Sequence, residues 1–334
     1  MNRRTVRTVA AACAMGFLIL HAPDAAAACR EGIQLCIQVL IPSLFPFFLV
    51  SCLLTDALAN TPLPLLRPIE RLCRIPAGSG CLLLTGLLGG YPAGAQSVGL
   101  AYRTGRISRT DGERMISFCS NAGPAFLFGM VAPFFDNPVH PWLLWAVHIL
   151  SALLAGFLIP GDGAKFSPAS ENHGITAVQA MDKSIRSMAS VCGWVILFRM
   201  VLGLFEPALS STSSEEFRII LSGLLELSNG CIRLDGVQPT GFRFFLASGM
   251  LSFGGICVTM QTGSVCGGLS MKRYIPGKLL QLVISFALSA LLQPLFPAQE
   301  RISPIRCAAV ILLVPLLVRK PGKNKGSIPA PVGV

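Results

Sequence analysis

Four short stretches set turn-forming and hydrogen-bonding residues inside otherwise apolar runs. They are Gly90-Tyr91-Pro92-Ala93-Gly94, Asn121-Ala122-Gly123-Pro124, Glu226-Leu227-Ser228-Asn229-Gly230, and Gly254-Gly255 with Thr259 and Gln261 beyond them. These residue types suit binding rather than bond-making. Tyr91 offers a hydroxyl and a ring, Pro92 fixes a turn, and Gly94 lets backbone come close. Gly90–Gly94 is expected to form a hairpin tip, with Asn229 and Gly230 at the equivalent tip of a second hairpin. Asn121, Gly123 and Pro124 are expected to break the next helix. The half-helix that restarts there could turn its first N–H groups toward an anion; alternatively, Asn121 satisfies groups freed by a plain kink. Gly254, Gly255, Thr259 and Gln261 are expected to form a second unwound helix. Gln261 both donates and accepts, which suits a carboxylate or a ring nitrogen.

Glu226 is the one carboxylate in its apolar run. An ionisable group at membrane depth points to function. It could carry a coupling proton, hold a cation or orient a neighbouring amide; a turn nearer the surface it would be merely interfacial. Arg199, within VILFRMVL, could pair with an acid, touch a solute or reach for the interface.

Covalent chemistry has no visible machinery. There is no GxxxxGK[ST] phosphate loop and no GxSxG elbow, and His21, His140, His148 and His173 are scattered. The twelve cysteines show no CxxC pair and no zinc-type spacing. Cys52, Cys119, Cys192 and Cys257 lie in apolar runs, where a thiol acts as a small hydrophobe. Neither an enzyme, a metal site nor a resident cofactor is expected. A coupling proton or sodium ion stays open, as does self-association.

These stretches need a frame, and composition supplies it. Of 334 residues 52% are hydrophobic and 13% charged, against about 25% charged in soluble domains. The apolar residues are blocked into runs, as in a polytopic membrane protein. The net charge of +11 sits in short clusters between runs, where it sets topology. No basic stripe alternates with stacking aromatics, so no nucleic acid partner is expected. The partners are the bilayer and a small solute.

Residues 1–28 read as a transmembrane helix or signal-like segment. Spans follow near 33–58, 115–135, 142–160, 191–205, 244–268, 279–296 and 304–318, with re-entrant hairpins near 81–95 and 219–235. That makes an all-α protein of about eight spans plus two hairpins. The halves repeat: LLTGLLGGYPAGAQ from Leu83 matches ILSGLLELSNGCIR from Ile220, SFCSNAGPAFLFG from Ser117 matches SFGGICVTMQTG from Ser252, and SALLAGFL from Ser151 matches SALLQPLF from Ser289. The expected units are 29–160 and an inverted copy at 190–297, joined by a cytoplasmic connector and interfacial helix at 161–189. A helix and basic tail follow at 298–334. Arg3, Arg4, Arg7, Arg67, Arg71, Arg74, Arg103, Arg106, Arg109, Lys272, Arg273, Lys278 and the tail are expected inside, so both termini are cytoplasmic. Paired inverted repeats with broken helices are the layout of secondary transporters. A break in lipid leaves backbone groups unpaired at several kcal/mol each unless protein or a watery cavity receives them.

GYPAGA, GRIS, DGER, SNAGPAFLFG, PSLFPFF, ELSNGC and SFGGICVTMQ together resemble the nucleoside-recognition, or Gate, domain family, and within it the YlbJ-type sporulation integral membrane proteins. The resemblance covers roughly residues 25–295. It implies an architecture similar to concentrative nucleoside transporters and a bacterial cell membrane, specifically the mother-cell-derived membrane around the forespore. It further implies transport of dipicolinate, a small organic anion, during sporulation. The alternatives are a nucleoside or other small solute, or a non-transporting assembly factor for the spore envelope.

Overall fold

Long apolar runs close their hydrogen bonds within the segment, and the described residues of the computed structural model form helices joined by turns, with no strand among them. The described residues are 2–58, 63–161, 163, 166–167, 174–212, 214–308 and 310. Six helices are long and apolar enough to cross a membrane: Ala22–Leu58, Arg109–Phe134, Val139–Leu158, Ala177–Ser211, Thr240–Val265 and Tyr274–Leu295. They correspond to six of the eight expected spans. The N-terminal segment forms a helix, Arg3–Leu20, that is not among the six. Nearly all of 304–318 and the basic tail lie outside the described residues, as does His173.

The element order occurs twice. A long helix (Ala22–Leu58), a hairpin (Gly80–Gly89 and Ala93–Arg103), a broken helix (Arg109–Cys119, resuming at Pro124) and an unbroken helix (Val139–Leu158) come first. Then follow a long helix (Ala177–Thr212), a hairpin (Glu215–Leu225 and Leu227–Ile232), a broken helix (Thr240–Phe253 and Gly255–Val265) and an unbroken helix (Tyr274–Leu291). Contacts repeat as well. Each hairpin's first arm packs on both halves of its own broken helix, and each broken helix packs on the unbroken helices of both repeats.

Local sequence accounts for most boundaries. Pro42 withholds an N–H and crowds the carbonyl one turn back, and the long helix widens into a π-turn at Cys36–Leu40 before it. Leu127–Val131 does the same before Pro133. The first hairpin starts where buried Glu70 accepts the N–H groups of Gly78 (3.1 Å) and Gly80 (2.8 Å). The second starts at Ser214, whose hydroxyl caps Phe217 N–H at 3.3 Å.

Two expectations on helix extent change. The second long helix runs unbroken from Ala177, so the connector holds no separate interfacial helix over 177–189. Helix propensity continues through AVQAMDKSIRSMAS, and nothing there stops it. The first hairpin and its broken helix also exceed their expected bounds of 81–95 and 115–135: the return arm runs to Arg103 and the broken helix starts at Arg109.

A buried arginine gathers carbonyls at each end of the bundle. Arg114, fully buried, donates to Arg74 O (3.1 Å), Gly156 O (2.8 Å), Ile159 O (2.9 Å) and Cys73 O. Arg243 donates to Val237 O (3.1 Å), Asp235 O (3.0 Å) and Phe134 O. Each joins a hairpin flank to a helix end, using the five donors of a guanidinium.

Candidate functional site

The four breaks converge. Gly90, with φ +74°, abuts the backbone of Gly123: a β-carbon on Gly90 would lie 2.8 Å from Gly123 N. Gly255, with φ +82°, sits the same way against the second hairpin, where a β-carbon would lie 3.0 Å from Gly223 O. Each hairpin tip thus seats on the break of its own repeat. Tyr91 crosses between repeats, donating its hydroxyl to Leu251 O at 3.2 Å beside the Gly254 break.

Side-chain size makes this seating possible. In the first hairpin, Gly86 and Gly94 pack against each other and against Cys119 O, where β-carbons would lie 1.7 and 2.0 Å from that oxygen. In the second, a β-carbon on Gly230 would lie 2.3 Å from Gly223 Cα. Such approach needs residues without side chains, as at close membrane helix contacts.

The freed backbone groups find partners. Phe118 O receives the Asn121 amide (2.6 Å), and Ser120 O receives Lys278 Nζ (2.7 Å). Ala122 N–H donates to His148 Nε2 (3.2 Å). Gln281 Nε2 donates to Asn121 Oδ1 (3.0 Å), and Gln281 Oε1 accepts from Lys278 Nζ (2.7 Å). At the second hairpin, Glu226 accepts from Ser228 N (3.0 Å), Asn229 N (2.7 Å) and Asn229 Nδ2 (2.9 Å). Each group left unpaired at this depth would cost several kcal/mol, so these contacts are what keeps the breaks in place.

Between the breaks lies a cavity of about 40 Å³. Gly90, Tyr91, Gly123, Glu226 and Gln261 line it, together with Ser228 and apolar side chains of both long helices. The wall is mainly apolar with a few convergent polar groups, the usual make-up of a small-molecule site. The volume holds roughly three waters by the size a water needs, so a ring-sized solute requires the tips to part.

Five of the expected site residues therefore face one cavity; the others hold its frame. Pro92 completes the first break, and Gly94 belongs to the arm that begins at Ala93. Pro124 starts the second half of its helix. Asn121 faces backbone and Gln281, so it satisfies the kink. The restarting half-helix is a poor anion cradle: the N–H of Ala122 is already taken by His148, and Gly123 is covered by Gly90. Asn229 and Gly230 are not the second tip. They lie within Leu227–Ile232, and the break is Glu226 itself. Its carboxylate caps that short helix and orients the Asn229 amide. The second broken helix unwinds only at Gly254–Gly255, because two glycines with positive φ complete the turn. Thr259 and Gln261 are helical, with side chains bonded one turn back to Gly255 O (3.0 Å) and Cys257 Sγ (3.2 Å). Arg199 joins the two long helices through Glu31, away from the cavity.

Lys278 overturns a topology expectation. It is fully buried rather than cytoplasmic, and its ammonium lies 5.3 Å from the centroid of the Tyr91 ring. Lys278, Gln281 and His148 were all missed as site-supporting residues. The available signal was a lysine one turn inside an apolar run with a glutamine three residues on.

No family model matches the chain, and no solved structure matches it significantly. The chain is 26% identical over 350 residues to the sporulation integral membrane protein YlbJ of Bacillus subtilis (strain 168). The match covers 89% of this chain and 86% of that protein. With its six apolar helices, the chain is an integral membrane protein, and similarity along nearly all of both sequences supports its place among the YlbJ-type sporulation integral membrane proteins.

Proposed function

We propose that this chain is a secondary transporter of a small organic anion, with dipicolinate as the cargo to test first. The observation that supports it best is the meeting of four chain breaks, two from each repeat, around one cavity between two long helices. Broken elements at a repeat interface are where transporters bind solute and coupling ion. With each hairpin re-entrant, every repeat crosses the bilayer three times, and an odd number inverts the second copy relative to the first. The hairpins then move against the long helices to expose the cavity on alternate sides. A purely structural membrane protein has no need of four breaks that meet in one place.

The Lys278 cation, held by two neutral oxygens behind the Tyr91 wall, supplies positive charge for an anion, while Glu226 stays hydrogen-bonded to three N–H donors. Tyr91 offers a ring face and Gln261 an amide to a planar carboxylate. The same mainly neutral lining favours a nucleoside as the second cargo. Exposed basic residues flank the first hairpin and its broken helix at one end, including Arg67, Arg71, Arg103 and Arg109. Positive charge retained inside makes that end cytoplasmic; both termini join it with Arg3–Leu20 and the expected span at 304–318 counted as further spans, since six crossings alone leave Ala22 and the end of Tyr274–Leu295 on the other side. The resemblance to YlbJ-type proteins extends this to the membrane around the forespore.

Proteoliposomes holding the purified protein, offered radiolabelled dipicolinate and nucleosides with and without ion gradients, test this reading. Saturable uptake of dipicolinate is expected. Movement of nucleosides alone changes the cargo, and movement of neither refutes the transporter.

A further inference from the structure

The ammonium of Lys278 occupies an unusual position. Ser120 is the first residue past the helix Arg109–Cys119, and its carbonyl stands at the negative end of that helix's dipole. Nζ lies 2.7 Å from this carbonyl and 2.7 Å from Gln281 Oε1, with the Tyr91 ring 5.3 Å away. A carbonyl freed by a break, an amide oxygen and an aromatic face are ligands that a bare monovalent cation would take.

We propose that Lys278 is a tethered cation standing in the coupling-ion position, so that a proton moving on and off its amine drives the cycle and sodium is not needed. This rests on the transporter reading above.

The surroundings fit a residue that changes charge. Cys119 and Ser120 face it from the first broken helix, and His148 from Val139–Leu158. Tyr91 faces it from the hairpin, and Gln281 lies on its own helix. Tyr274, also on that helix, is bonded through its hydroxyl to Thr262 of the second broken helix at 3.4 Å. His148 accepts the Ala122 N–H on Nε2, which leaves its own proton on Nδ1 and the ring neutral. Among the described residues no carboxylate forms an ion pair with Lys278. The positive charge therefore has no fixed counter-charge, which an entering anion can supply.

The step is a proton transfer. The ammonium releases one proton to water on one side of the membrane and keeps the nitrogen lone pair. A proton from the other side later re-forms the ammonium. The neutral amine retains two N–H groups for Ser120 O and Gln281 Oε1, so the broken helix stays satisfied. What disappears is the attraction between the charge and the Tyr91 ring. Because Tyr91 stands in the hairpin tip at Gly90–Pro92, loss of that attraction frees the tip to leave Leu251 and open the cavity.

Full-length protein in proteoliposomes tests this with labelled dipicolinate. In the wild type, a pH gradient is expected to drive accumulation equally well when sodium is replaced by choline. Lys278→Met is expected to lose gradient-driven accumulation. A sodium requirement in the wild type overturns the proposal. So does a Lys278→Met variant that follows the pH gradient as the wild type does. A second arm is independent of flux: the thermal unfolding temperature of purified Lys278→Ala with and without methylammonium or ethylammonium. Stabilisation of the variant but not of the wild type supports a cation site, and no difference between them overturns it. Lys278→Gln serves in the same arm where Lys278→Ala cannot be purified. Wild-type protein that moves no cargo removes the transporter reading and the coupling with it, and the amine arm then decides the cation site alone.

Discussion

Replacing Gly86 by alanine tests the close seating of the first hairpin. The new methyl would lie 1.7 Å from Cys119 O and 2.7 Å from its carbonyl carbon. Ordinary van der Waals contact begins about 3.4 Å apart, so relief needs a shift of roughly 1.7 Å, and overpacking of this kind costs about 1–3 kcal/mol or more. The clashing atom is backbone, and no rotamer can move it aside. The shift must pass along the arm to Gly90 and Tyr91. A displacement of this size takes Tyr91 Oη out of reach of Leu251 O, now 3.2 Å away, and separates Gly90 from Gly123. Gly193 provides the comparison, because a β-carbon there meets nothing within 4 Å. In its helix, Gly193→Ala should stabilise by about 0.5–1 kcal/mol through propensity. The assay is thermal unfolding of both variants in detergent, followed by dipicolinate uptake in proteoliposomes. Gly86→Ala should melt lower than the wild type and lose uptake, while Gly193→Ala melts at or above it. Equal melting temperatures and equal uptake for the two variants would refute the packing reasoning.

Two further outcomes follow from buried polar groups. Glu226→Ala leaves the N–H groups of Ser228 and Asn229 and the Asn229 amide without their acceptor, at a cost of about 3 kcal/mol; Glu226→Gln keeps one oxygen and should cost roughly half of that, as read by thermal unfolding. Arg114→Met strips the donors from four carbonyls, at about 1–3 kcal/mol for each one left unsatisfied. Little monodisperse protein should then survive extraction, and size-exclusion chromatography against wild type and Arg114→Lys checks this.

The sequence was most legible where the physics is local. Glycine and proline inside apolar runs marked three of the four breaks, because positive φ and a missing N–H act on the residues beside them. The matching stretches from Leu83 and Ile220 foretold two hairpins, and both are present as helix pairs. Details set by one or two residues were less legible. The second tip lies at Glu226 rather than Asn229–Gly230, since a carboxylate bonded to its own following N–H groups starts a new helix at once. Helix lengths were underestimated where polar residues continue a helix beyond the apolar run, as at 177–190 and 96–103.

Composition and periodicity alone determined that this chain is helical, built for the bilayer, repeated, and interrupted at four places. What faces what was decided only by the tertiary structure. Lys278 follows Lys272 and Arg273 closely in sequence, so its local pattern is that of a topology signal. In the fold its ammonium meets Ser120 O, 158 residues away. Asn121 meets Gln281 and Tyr91 meets Leu251 over comparable separations. Such contacts arise because a broken helix must find donors and acceptors somewhere, and several of those within reach belong to the other repeat.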